Sequence, residues 1–204
     1  MAEGQAQVIS VIIPIMPIEP YKTQIHDTLK SLKKQTAKHE VIVCEQPIER
    51  WINKGKLLNE GFRKSKGDVI FHCDADALFP DPTLFERMRK KLESGYDCIY
   101  PMFFSPLKKV YKIADGHPFA TREAREEFGP HNERHLGISL QEFVILHHYL
   151  TKKKMYCGRE FMMAINMKPF VKGVGKLHKE TRIKVKPIYY QCLEILKERG
   201  VWPD

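Results

Sequence analysis

The chain lacks the marks of several protein classes. Its five cysteines (Cys44, Cys73, Cys98, Cys157 and Cys192) contain no pair at zinc-ligand or dithiol-redox spacing. Three of them lie in apolar runs, where a thiol behaves as a small hydrophobe, so a reducing, cytoplasmic setting is expected. No apolar run approaches the ~20 residues of a membrane span. The opening Met1-Ala-Glu-Gly-Gln-Ala-Gln has neither the basic nor the apolar segment of a secretory leader, and none is expected. There is no internal repeat, no low-complexity stretch and no His-Glu-x-x-His motif, although His131 and His135 stand four apart. Gly173-Val-Gly175-Lys176 lacks the spacing of a phosphate-binding loop.

Acidic residues thin out toward the end. From Thr151 to Asp204, 13 Lys and Arg face 5 Asp and Glu, so most of the net +9 charge lies in the last quarter. Such a segment suits phosphates, nucleic acid or an anionic membrane surface. No nucleic-acid motif is present and no aromatics interleave with the lysines, so nucleic acid is not expected as a partner, and peripheral contact with an anionic membrane is. Lys152-Lys-Lys154 by itself reads as a solvated face. The 204 residues, 43% apolar and 29% charged, are enough for one soluble domain with its own core.

What the chain does contain is an alternation of buried strands and amphipathic helices. Val8–Ile15 and His39–Glu45 are near-continuous β-branched runs, and Asp68–Cys73 and Tyr96–Tyr100 are shorter ones. Between them, Tyr21–Gln35, Trp51–Ser65 and Pro82–Leu92 carry apolar residues at helical spacing. Asp81 is the expected N-cap of the third helix, with Pro82 at its first position. This order predicts an α/β fold with a doubly wound, mostly parallel (mixed) sheet and helices on both faces. Beyond residue 103 the pattern weakens. Phe104–Ile113 is ambiguous between strand and helix, Thr121–Phe128 and Ser139–Leu150 read as helices, and Met155–Met167 reads as a strand. A basic loop and a terminal helix, Pro187–Arg199, follow.

Asp74-Ala-Asp76 follows the third strand directly. Carboxylates at the carboxyl end of a buried strand stand where open α/β sheets bind ligands. Hard oxygen donors there suit Mg²⁺ or Mn²⁺ and, through the ion, a diphosphate.

A strand ending in Pro14-Ile15, a strand ending in Glu45, the helix Asn53-Lys-Gly-Lys56-Leu-Leu-Asn59-Glu-Gly61-Phe62 and the strand into Asp74-Ala-Asp76 together resemble the nucleotide-binding half of a GT-A glycosyltransferase. The pattern is similar to family 2 and to the β-1,4-galactosyltransferase-like enzymes, from about Val8 to Leu84. The resemblance implies a single GT-A domain, with residues 1–103 binding the nucleotide sugar and 104–204 the acceptor. Pro14 and Ile15 would wall the base, and Glu45 would accept a hydrogen bond from it, which suits the N3 donor of uracil. Lys56 would pair with phosphate or base, while Asn59 and Gly61 would permit close helix–sheet approach. Asp76 would bind Mn²⁺ or Mg²⁺, and Asp74 would contact ribose, the metal or its water. His178 is a further candidate ligand.

In the second half, Gly137-Ile-Ser-Leu-Gln141-Glu142 resembles the family's catalytic helix start, with Glu142 as general base. Gly116-His-Pro-Phe119 resembles a strand lining the acceptor pocket. The implied function is inverting, metal-dependent transfer of a sugar from a nucleotide diphosphate sugar, a UDP-sugar by the Glu45 argument. The acceptor would be a glycan, lipid-linked or protein hydroxyl, as in hexosyltransferases. Two alternatives remain open: a sugar nucleotidyltransferase on the same fold, and a non-catalytic module binding nucleotide sugar or nucleic acid. The first usually needs a Gly-rich, Arg-bearing loop where Met16-Pro-Ile-Glu-Pro20 stands.

Overall fold

The strand at the centre of the first half, β1 (Ile9–Ile15), is buried along its whole length. It pairs in parallel with β2 (His39–Glu45) on one side and β3 (Val69–His72) on the other. Its alternate residues explain the continuous apolar run. Ile9, Val11, Ile13 and Ile15 pack with α1 (Tyr21–Leu32) and α3 (Leu84–Glu93) through Ile25, Leu32, Leu84, Phe85 and Met88. Ile12 and the neighbouring Ile70 pack instead with α2 (Lys54–Lys64) through Leu58 and Phe62. The computed structural model describes residues 7–15, 21–46, 53–105, 110–133, 139–165, 190–192 and 194–198.

The rest of the sheet comes from shorter elements: β4 (Ala77–Leu78), β5 (Cys98–Ser105), β6 (Val110–Ile113), β7 (Phe119–Thr121) and β8 (Met155–Ile165). The strand order is β2-β1-β3-β7-β5-β8-β4, with β6 paired to β5. The sheet is mixed, with helices on both faces, as the sequence predicts. Parallel pairing occurs across β2-β1-β3 and between β5 and β8, and the other ladders are antiparallel. The ambiguous 104–113 stretch resolves into the end of β5 and its hairpin partner β6. Connections as short as β5–β6 cannot make a parallel crossover. Two further helices, α4 (Arg122–Phe128) and α5 (Ser139–Lys152), complete the second half. Ile145, Leu146, Tyr149 and Leu150 of α5 share a second core with Cys98, Tyr100, Met102 and Cys157. Residues 190–192 and 194–198 are helical, and Cys192 and Leu196 join this core.

Two local details bear on the sequence reading. Asp81 does not cap α3 as expected. Its carboxylate accepts from Thr83 N and Thr83 Oγ1, each at 2.8 Å, so it closes a turn that precedes the helix, which starts at Leu84. Gly61 does allow close helix–sheet approach: a Cβ there would lie 2.2 Å from Ile12 Cγ2 and 3.2 Å from Cys44 Sγ.

Candidate functional site

The carboxyl ends of β1, β2 and β3 lie on one edge of the sheet. Ile15 stands opposite Glu45, and Cys73 N extends the β1–β3 ladder by donating to Ile12 O at 2.9 Å. The chain then turns through Asp74, Ala75 and Asp76. Asp74 N donates to His117 Nε2 at 3.2 Å, Thr28 Oγ1 of α1 donates to Ala75 O at 2.6 Å, and Ala77 N closes the turn on Asp74 O at 3.2 Å. Two separate segments, α1 and the connection before Phe119, therefore hold the acidic turn in place.

A buried lysine faces it. Asn53 caps α2 by accepting from Lys56 N at 3.0 Å, which starts the helix at Lys54. The Lys54 ammonium lies 2.7 Å from Asp74 Oδ1 and 2.5 Å from Glu142 Oε1, and its side chain is only 2% exposed. Glu142, in the first turn of α5, is thus brought to the acidic turn from 68 positions further along the chain. Gly116 fits between the two carboxylates. A Cβ on it would meet Glu142 Oε1 at 3.0 Å and Asp74 Oδ2 at 3.3 Å.

The connection leading toward α5 is tied back to α2. Asn59 Nδ2 donates to His131 O and Glu133 Oε1, both at 2.9 Å, and its Oδ1 accepts from His131 N at 2.8 Å. Asn53 Nδ2 donates to Glu133 O at 2.7 Å. Helix α2 therefore carries both Lys54 and the side chains that fix the approach to the helix bearing Glu142.

Electrostatics follow from four carboxyl groups gathered around one ammonium. Burial pulls the Lys54 pKa down, but Asp74 and Glu142 outweigh it and the net shift is upward, so Lys54 stays charged. Burial works against ionisation of Asp74, yet Lys54 and His117 more than offset it and its pKa falls. Glu142 is pushed up to about 8 by burial and by Asp74 and Asp115, against the pull of Lys54. Asp76 rises to about 6 through burial and the Asp74 charge. Asp115, in the turn between β6 and β7, also rises to about 6, mainly through burial, with Asp74 adding to it and Lys54 opposing. His117 drops to about 4 because it is buried, which leaves Nε2 free to accept from Asp74 N.

These shifts have a sign. Asp76, Asp115 and Glu142 hold protons in the folded protein that the unfolded chain releases near 3.8 to 4.5. A folded state that binds more protons loses stability as pH rises. His72, His117 and His148, whose pKa values are lowered by burial, act in the opposite sense below about pH 6.5. Between about pH 7 and 8, where the histidines are neutral in both states, Glu142 is expected to make the protein less stable as pH rises, by up to roughly 1.4 kcal/mol per pH unit. Mn²⁺ is expected to raise the melting temperature more at pH 8 than at pH 6. Thermal unfolding from pH 6 to 8, with and without Mn²⁺, tests both statements. A melting temperature that climbs from pH 7 to 8 without metal would contradict the first, and an equal Mn²⁺ effect at pH 6 and 8 the second.

The donor set fits a hard divalent cation. The Asp76 carboxylate receives no hydrogen bond or ion pair from another side chain among the described residues, whereas Asp74 is committed to Lys54. Among the described residues no group of three or more His, Cys, Asp or Glu forms a ready-made cage. Mg²⁺ is commonly held by one or two carboxylates together with substrate phosphates.

Among the other expected residues, Pro14 and Ile15 end β1 on the acidic edge with both side chains buried, and Glu45 is exposed beside them. Lys56 does not turn toward the site as expected. It is exposed, because at 100° per residue it lies on the far side of α2 from Lys54, Leu57, Leu58 and Gly61. His178 and the loop from Lys168 to Lys186 lie outside the described residues. The sequence reading passed over Lys54 and Asp115. Lys54 had a readable signal, since it shares the apolar face of α2. Asp115 had none, being a turn residue between two short strands.

Comparison with known proteins supplies the remaining findings. The model of glycosyl transferase family 2 matches residues 24–155. No curated protein matches the chain by sequence. Among solved structures, the mannosyltransferase PcManGT from Pyrobaculum calidifontis, in complex with GDP-Man and Mn²⁺, superposes with a TM-score of 0.62 at 14% identity, covering 86% of this chain and 60% of that one. S. aureus TarS 1-349 in complex with UDP gives 0.60 at 13% identity, covering 80% and 61%. The catalytic domain of Drosophila β1,4-galactosyltransferase 7, in complex with xylobiose, gives 0.56 at 13% identity, covering 79% and 71%. At these identities the likeness is one of fold. The chain spans about 60% of the length of the first two. Among the described residues no helix is long and apolar enough to cross a membrane.

Proposed function

The chain belongs to glycosyl transferase family 2, and from that premise we propose that it transfers a sugar, with inversion, from a nucleotide diphosphate sugar to an acceptor hydroxyl. One observation carries the reading: Glu142 and the Asp74–Asp76 turn, distant in sequence, meet at the Lys54 ammonium.

In this scheme Asp76, with Asp74 beside it, would hold Mn²⁺ or Mg²⁺ at the sheet edge, and the ion would supply neutralisation of the charge that grows on the departing diphosphate. Glu142 takes the proton of the attacking hydroxyl. A base with a pKa near the working pH combines availability with driving force, and burial among carboxylates tunes Glu142 in that direction. Inversion needs one base and no protein nucleophile. Lys54 keeps Asp74 ionised and limits the rise of Glu142, so the proposed base and the acidic turn that would hold the ion share one ammonium. Ile15 and Glu45 end their strands on the same edge, where the exposed Glu45 would accept from a base N–H. Uracil N3–H suits that acceptor and guanine N1–H would serve as well, so a UDP-linked donor is proposed with GDP-linked sugars as its direct competitor, and a glycan, lipid-linked or protein hydroxyl as acceptor.

The test is a panel of UDP- and GDP-linked sugars with Mn²⁺, reading nucleotide release and thermal shift. Asp76→Asn is expected to reduce Mn²⁺-supported release about 10²-fold or more, since the ion contributes several kcal/mol of charge stabilisation. Its circular dichroism spectrum is expected to match wild type. Full activity in the variant, or no shift with any donor, would sink the scheme.

A further inference from the structure

A buried arginine packed on Phe62 of α2 has no use in that chemistry. Arg125 of α4 is 1% exposed. Its Nη1 donates to Gly129 O at 2.6 Å, and its guanidinium lies 4.6 Å from the centre of the Phe62 ring and 5.4 Å from that of Phe128. Among the described residues, Nε and Nη2 are buried without a hydrogen-bond partner and no carboxylate pairs with the guanidinium. Arginine is almost never fully buried unpaired, because a charge removed from water needs a counter-charge. Aromatic faces offset part of that cost and leave the N–H groups unmet.

Other orphaned polar atoms belong to the same neighbourhood. Among the described residues, the hydroxyls of Tyr100 and Tyr149, both 0% exposed, have no hydrogen-bond partner, and neither does His72 Nε2. The two tyrosine rings are 6.3 Å apart. Arg125 acts electrostatically on both Tyr149 and His72. The phenols are neutral and burial keeps His72 neutral, so the set carries one fixed positive charge.

We infer that Arg125, with the Tyr149 hydroxyl as a second donor, forms an internal site for one small monovalent anion of the halide class. Water would satisfy the donors but not the charge. The site lies among α2, α4 and α5, and a filled site would lock α4 against them. It is independent of the proposed sugar transfer.

The test is thermal unfolding of the whole protein at fixed ionic strength while chloride replaces gluconate, an anion too large for an enclosed site. The melting temperature is expected to rise with chloride, following saturation of a single site. Arg125→Met is expected to abolish that dependence. If this variant does not fold, Tyr149→Phe, which preserves ring volume, is expected to weaken chloride binding several-fold. Crystals soaked in bromide are expected to show an anomalous peak beside Nε and Nη2. Identical melting in chloride and gluconate, an unchanged chloride response in the variants, or ordered water alone beside Arg125 would overturn the inference.

Discussion

Glu142→Gln is expected to slow sugar transfer roughly 10²- to 10⁴-fold, the usual contribution of a positioned base, while leaving donor affinity near wild type. The substitution is nearly isosteric. The new amide oxygen can still accept from the Lys54 ammonium, which lies 2.5 Å from Glu142 Oε1 in the native site. What is lost is the capacity to take a proton. The kinetic signature is therefore a fall in kcat with little change in donor binding. The wild-type rate is expected to climb with pH toward a plateau near the Glu142 value of about 8 and to lose that limb in the variant. A fully active E142Q enzyme would assign the base elsewhere.

Lys54→Met has the largest expected effect on stability. Removing one partner of a buried ion pair typically costs roughly 3–5 kcal/mol, because the other charge is left uncompensated. Here two carboxylates lose the same partner. For a chain of this size the loss corresponds to a fall in melting temperature of about 6–20 °C. The deficit is expected to be smaller at pH 5 than at pH 8, since Asp74, which Lys54 keeps ionised in the native site, can take a proton when the ammonium is gone. Lys56→Met, two residues on but exposed, is expected to melt within about 2 °C of wild type, as surface substitutions usually stay within ±0.5 kcal/mol. Equal stability losses in the two variants would refute the role given to Lys54.

That pair of lysines also shows how far the sequence could be read. The early strands were legible because β1 is covered on both faces and so carries an unbroken apolar run. The acidic turn was legible because it directly follows β3. Glu142 could be found through the resemblance of the segment before it, although nothing local distinguishes it from an ordinary acid in a first helical turn. The choice between Lys54 and Lys56 needed the rotational phase of α2, which spacing along a motif does not express. β4 is two residues long and β7 three, too short for any periodicity to register. Asp115 depends on both of its neighbouring strands being placed, so its nearness to Lys54 and Asp74 is a tertiary fact with no local trace.

The double duty of α2 has a mechanical consequence. Lys54 and Asn59 are five residues apart on one helix, a rise of roughly 7.5 Å, and they anchor the acidic turn and the connection leading toward α5 respectively. Under the proposed function, the spacing between leaving group and incoming nucleophile would then be set by a stiff rod rather than by a hinge. An enzyme gauged this way would discriminate acceptors by how far their hydroxyl must reach, rejecting those that are too short as readily as those that are too bulky.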